Sequence, residues 1–108
     1  MVENNIQKSI QTEIDTNDIV LFIKGTASFP QCGFSSLVVN IMRKVGAPFK
    51  DINVLADENL RQGIKDFTKW PTIPQVYIKG EFAGGSDILR EMFESGELVE
   101  LLKEKNIL

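Results

Sequence analysis

Lys24-Gly25-Thr26-Ala27-Ser28-Phe29-Pro30-Gln31-Cys32-Gly33-Phe34-Ser35 decides how the rest of the chain is read, because it carries the one cysteine between two apolar stretches of different period. Before it, Ile19-Val20-Leu21-Phe22-Ile23 is a β-branched and aromatic run that suits a buried strand. After it, Phe34, Leu37, Val38, Ile41, Met42 and Val45 recur close to the helical period of about 3.6. Cys32 therefore starts a helix. A thiol there faces the unpaired amides and the positive end of the helix dipole, which stabilises its thiolate, and Lys24 at the end of the strand adds a positive charge. A lone cysteine is often just a small core residue. Pro30 and Gly33 beside this one argue instead for an exposed turn and a thiolate that acts as nucleophile or metal ligand.

Composition narrows the field. At 108 residues and 43% hydrophobic content, the chain suits a single domain, 1–108, with one substantial core. A net charge of −3 without a basic block argues against a nucleic-acid partner. No apolar stretch approaches the roughly 20 residues of a membrane span, and the N-terminus lacks a signal-peptide pattern, so no membrane partner is expected. One cysteine permits no internal disulfide, which fits a reducing compartment: the cytoplasm of a bacterium, or a mitochondrial or other organelle matrix after removal of a transit peptide. The absence of histidine excludes Cys-His and Ser-His nucleophile pairs and histidine metal ligands within the chain. Any soft-metal site must recruit ligands from outside.

Working outward, Ile6, Ile10 and Ile14 put a narrow apolar stripe on a helix over about Glu3 to Glu13. The helix from Cys32 ends near Gly46, with Arg43 and Lys44 in its last turn. Phe49 to Val54 reads as a second strand, parallel to the first because a helix separates them. Asp57-Glu58-Asn59 opens a third helix with Leu60, Ile64 and Phe67 as its stripe. Gln75-Val76-Tyr77-Ile78, the turn Lys79-Gly80-Glu81 and Phe82-Ala83 form a hairpin. Gly84-Gly85-Ser86-Asp87 then leads into a fourth helix with Ser86 or Asp87 as its N-cap, and Gly96 separates it from a last helical segment, Glu97 to Lys105. The order predicts a four-stranded mixed sheet with helices on both faces. Cys32 falls at the carboxyl end of the first strand, where such sheets bind ligands.

Lys24-Gly25-Thr26, Phe29-Pro30-Gln31-Cys32-Gly33-Phe34-Ser35, Trp70-Pro71-Thr72-Ile73-Pro74-Gln75 and Gly84-Gly85-Ser86-Asp87 together resemble the monothiol glutaredoxins of the Cys-Gly-Phe-Ser type, over nearly the whole chain. The resemblance implies an α/β, thioredoxin-like (glutaredoxin) fold and glutathione binding. It also implies a role in assembling, holding or transferring a 2Fe-2S cluster, with a BolA-like protein and iron–sulfur apoproteins as partners. Carried over residue by residue, it makes Cys32 the thiol and metal ligand. Lys24 becomes the lysine near it, and Arg61 the helix arginine that meets the glycyl carboxylate of glutathione. Gly85, Ser86 and Asp87 take the other end, with helix-start amides for the γ-glutamyl carboxylate and the Asp87 side chain for its ammonium. Thr72-Ile73-Pro74 matches a cis-proline turn whose Ile73 backbone pairs with the cysteinyl portion. Trp70 reads either as a packing residue or as a partner-facing one.

Two positions depart from the wider pattern: Ser35 stands where dithiol relatives carry a second cysteine, and Ser86 where many relatives carry one. Without a resolving thiol, any thiol exchange passes through a mixed disulfide that glutathione resolves. A 2Fe-2S cluster takes four ligands, usually thiolates, and this chain has one. Given the family's cluster, two chains and two glutathiones supply the set, and a homodimer bridged by the cluster is expected. The alternative is a glutathione-dependent thiol–disulfide oxidoreductase that removes glutathione from protein thiols. A thioredoxin-fold adaptor without chemistry fits the intact pocket least well.

Overall fold

The structure, a computed structural model, describes residues 2–108. Its elements are α1 (Val2–Thr16), β1 (Ile19–Ile23), α2 (Gly33–Val45), β2 (Lys50–Asn53), α3 (Glu58–Thr68), β3 (Gln75–Ile78), β4 (Glu81–Gly84), α4 (Ser86–Ser95) and α5 (Glu97–Glu104). The sheet runs β2-β1-β3-β4, with β1 parallel to β2 and antiparallel to β3, and β4 antiparallel to β3. This is the expected four-stranded mixed sheet.

Every residue of β1 is buried, because successive side chains go to opposite faces and both faces are covered. Ile19, Leu21 and Ile23 pack with Val38, Val39 and Met42 of α2, Leu89 of α4, and Leu98 and Leu102 of α5. Val20 and Phe22 pack with Ile10 and Ile14 of α1, Ile64 of α3 and Tyr77 of β3. The two periodicities read from the sequence thus become two cores on either side of one sheet.

Several boundaries differ from expectation, among them β4, which takes in Glu81 and Gly84 on either side of Phe82-Ala83, and α5, which ends at Glu104. The first helix is longer, reaching Thr16. The second strand starts at Lys50, and Phe49 packs against the α2 side of the core instead of joining the ladder. The N-cap of α4 is Gly85, not Ser86 or Asp87, since Gly85 is extended (φ −99°, ψ −161°) while Ser86 is already the first helical residue. The hairpin turn is the pair Lys79-Gly80, whose φ values of 50° and 81° put both residues in the left-handed region, the backbone a two-residue connection needs to match the right-handed twist of its strands.

Topology brings distant motifs to one end of the molecule. Phe22 pairs with Gln75, so the start of the antiparallel β3 lies beside the end of β1. Val76 pairs with Gly84, so the end of β4 returns to the same place. The segments after β1, before β3 and after β4 therefore converge.

Candidate functional site

That convergence makes a cavity of about 480 Å³, lined by Lys24, Cys32, Phe34, Arg61, Lys65, Trp70 to Pro74, and Gly85 to Ile88. All the residues singled out from the sequence, Lys24, Cys32, Arg61, Thr72, Ile73, Pro74, Gly85, Ser86 and Asp87, lie on its wall. Phe34, Lys65, Pro71 and Ile88 join them without having been singled out.

Cys32 is the N-cap of α2, extended at φ −152° and ψ 139°, and its thiol is half-buried. A cap side chain normally accepts from the amide two or three residues on. The neutral thiol closes no such bond, but its ionised sulfur faces the amide of Ser35. That amide does most to lower the thiol's pKa. Partial burial opposes it, and the Phe34 amide, the Ser35 hydroxyl and the Lys24 charge add to the lowering in that order. The lowering is the one expected from the sequence, with the helix start as its main agent and Lys24 the least of these contributors.

Ser35 is thus more than the absence of a second thiol. It is fully buried, its Oγ accepts from the Lys24 amide at 3.0 Å, and its hydroxyl is among the groups that lower the Cys32 pKa. The signal in the sequence was its place three residues beyond the cap, the capping-box position.

The loop before Cys32 is held by the neighbouring strand. The Gly25 amide donates to Asn53 Oδ1 at 3.0 Å, the Ala27 amide to Asp51 Oδ2 at 2.8 Å, and the Gln31 amide to the Lys24 carbonyl at 2.8 Å. Gly25 has φ 91°, and a Cβ there would lie 2.5 Å from the Phe29 carbonyl, so the tight reversal needs glycine. Asp51 and Asn53 had carried no role in the sequence; facing the loop from β2, they fix where the cysteine is presented.

Across the cavity, α4 begins with a cap that has no side chain. No side-chain acceptor serves its first turn, and its first backbone bond, Leu89 to Gly85, leaves the amides of Ser86, Asp87 and Ile88 outside the helical ladder. A Cβ on Gly85 would come within 3.3 Å of the Pro74 carbonyl, a tight contact that the glycine avoids. The Ile73-Pro74 bond is cis, as the resemblance implied. On the third wall, Arg61 projects from the first turns of α3. Its Nε is buried with no hydrogen-bond partner, while a terminal nitrogen lies 4.0 Å from Glu58, too long for a firm ion pair. Trp70 packs on Phe82 at 5.5 Å between ring centroids, which is the packing role read from the sequence, and its remaining 37% exposure lines the cavity.

Of the lining residues Phe34 and Ile88 are also exposed, as is Phe29 in the loop before Cys32. Among the described residues no group of three or more Cys, His, Asp or Glu could hold a metal by itself. No described helix is long and apolar enough to cross a membrane.

The family profile of the glutaredoxins matches residues 19–83. A probable monothiol glutaredoxin 2 of Rickettsia typhi is 51% identical over 105 residues, which cover 97% of this chain and 95% of that one. The solution structure of a reduced apo glutaredoxin from poplar superposes with a TM-score of 0.84 at 46% identity, covering 96% of each chain. A buckwheat glutaredoxin crystallised as a glutathione complex superposes with a TM-score of 0.86 at 25% identity, covering 98% of this chain and 94% of that one.

Proposed function

This chain belongs to the glutaredoxins, of the monothiol kind, and we propose that it binds glutathione in the cavity beside Cys32 and with it holds a 2Fe-2S cluster between two copies. The observation that carries the reading is one cavity joining an acidified thiol to an unpartnered arginine nitrogen and to open helix amides. Glutathione has a carboxylate at each end, an ammonium at one, and a thiol between. Arg61 and Lys24 suit the glycyl carboxylate, the amides of Ser86 and Asp87 suit the γ-glutamyl carboxylate, and the Asp87 side chain suits the ammonium. Thr72, Ile73 and Pro74 form the floor along which the cysteinyl portion lies, with Gly85 leaving room beside it. The buckwheat complex supports this use of the fold.

A cluster of this type supplies two irons, each wanting two thiolates. Cys32 gives one ligand, and a second copy of Cys32 with two glutathione thiols completes the set. The exposed Phe29, Phe34, Trp70 and Ile88 give each copy an apolar rim to set against the other. Delivery to iron–sulfur apoproteins, and exchange of one copy for a BolA-like partner, belong to the same proposal, as does work in a bacterial cytoplasm or an organelle matrix.

The lowered thiol pKa also favours a second reading. In it the Cys32 thiolate attacks the glutathione sulfur of a protein mixed disulfide and releases the protein thiolate. A free glutathione thiolate then attacks the Cys32 mixed disulfide, leaving oxidised glutathione and regenerating Cys32.

Anaerobic reconstitution with iron, sulfide and glutathione, followed by visible spectroscopy and sedimentation, separates the readings. The cluster reading expects a coloured dimer that bleaches and dissociates when glutathione is removed. A coloured monomer, or colour indifferent to glutathione, would overturn the ligand count. Colourless protein that still removes glutathione from a mixed disulfide would leave the second reading.

A further inference from the structure

Gln75 opens β3, where a fully buried polar side chain is out of keeping with its neighbours Val76, Tyr77 and Ile78. It is also saturated. Its amide nitrogen donates to the carbonyl of Trp70 at 3.2 Å and to that of Thr72 at 3.3 Å. Its oxygen accepts from the Tyr77 hydroxyl at 3.3 Å and lies 3.2 Å from Thr68 Oγ1, whose single proton it shares with the Ile64 carbonyl at 3.0 Å. Backbone carbonyls can only accept, so the nitrogen must face the 70–72 segment and the oxygen must face the hydroxyls.

The segment so held is a wall of the cavity. Among the described residues no backbone–backbone bond ties Trp70 or Thr72 to the sheet; the Trp70 amide donates instead to Thr68 Oγ1 at 3.1 Å. An apolar side chain could fill the space under this segment, but only a donor pair can fix its two inward carbonyls. This wall abuts the start of α4, since a Cβ built on Gly85 would lie 3.7 Å from Trp70 Nε1, and 3.3 Å from the carbonyl of Pro74 two residues beyond the held segment.

We infer that Gln75 is a positioning residue for the cavity: its amide clamps the Trp70–Thr72 wall to β3 and α3, and through that wall sets both the floor beside Cys32 and the open N-terminus of α4. The inference rests on the reading of the cavity as a glutathione site. Gln75 itself reaches no ligand, being wholly enclosed.

Two variants of the full chain test it. Gln75→Met keeps the length and removes all four partners. Gln75→Glu keeps the acceptors toward Thr68 and Tyr77 but sets oxygen against the two carbonyls. Each is titrated with reduced glutathione by calorimetry, and the emission and acrylamide quenching of Trp70, the only tryptophan, are recorded without ligand. In whichever variant folds by circular dichroism, glutathione affinity falls about tenfold, and Trp70 emission shifts with greater quenching. Folded variants with wild-type affinity overturn the inference, whatever the emission does. If the wild-type chain itself binds no glutathione, the failure belongs to the ligand reading. Trp70 emission then decides alone: altered emission supports the clamp, and an unaltered spectrum overturns it.

Discussion

Two helices aim their N-termini at one cavity, and they are finished differently. Helix α2 begins at Cys32, a cap whose side chain can become an anion and turn the helix amides to its own use. Helix α4 begins at Gly85, a cap with nothing to offer, so its first amides stay open. A third start makes the contrast plainer: α3 begins at Asp57, whose carboxylate accepts from the Asn59 amide at 2.9 Å, and there the N-terminus is closed. The residue at the cap decides whom the same backbone dipoles serve: the protein's thiolate, an arriving anion, or the helix itself.

The largest effect is expected from taking the thiol out of the first of these ends. Cys32→Ser leaves a helix that is still capped, because serine is a good cap, yet a hydroxyl does not ionise near neutral pH. Cluster colour after reconstitution and the mass increase from glutathionylation should both vanish while the melting temperature holds or rises. A coloured variant would mean that another group carries the chemistry.

Giving α4 the acceptor it lacks should close the second end. Gly85→Ser supplies its own oxygen to the first-turn amides, and glutathione affinity should fall by about tenfold to a hundredfold, the worth of a charge-assisted bond of roughly 1.5–3 kcal/mol. Gly85→Ala adds the same Cβ against the Pro74 carbonyl without an acceptor and measures the crowding alone. Equal losses in the two variants would show that space, not the open amides, is what the glycine protects.

At the closed end the effect should appear in stability instead. Asp57→Ala should lower the free energy of unfolding in urea by about 1 kcal/mol, the usual worth of such a cap. Calorimetry on the folded variant should find glutathione affinity unchanged. A large loss of affinity would mean that the cap also fixes Arg61.

The smallest effect is a shift in the titration of Cys32. Because the folded chain holds this pKa below the ordinary thiol value, the thiolate persists to lower pH, and the alkylation rate should reach half its maximum below the midpoint of a free cysteine. Ser35→Ala removes the hydroxyl but keeps the Ser35 amide, the larger influence, so the midpoint should move up only part of the way toward the ordinary value. A full return would make the hydroxyl, and not the helix start, the chief stabiliser.

Local chemistry was legible before any coordinates. The apolar run of β1, the amphipathic periods of α2 and α3, and the glycines that end α2 and α4 act within a few residues of themselves, so the chain declares them directly. The motif resemblance named the site residues, and they do line one cavity. The α4 cap lies one residue before Ser86 and two before Asp87, the better caps by propensity, because Gly85 is the residue that stays extended where the chain passes close to the Pro74 carbonyl. The Ser35 hydroxyl was read as a missing thiol because its use depends on the Lys24 amide, which a strand end brings to it.

By itself the sequence determined the elements, their order, the thiol and the charges, since these follow from residue type and short-range period. Only the tertiary structure decided that Lys24, Arg61, Ile73 and Asp87 share a cavity, because two antiparallel pairings return the chain to the end of β1. It alone decided that Gln75 lies beneath the wall of that cavity. A glutamine at the start of a strand can face water or the interior, and its register opposite Phe22, under α3, leaves it enclosed with four partners to satisfy.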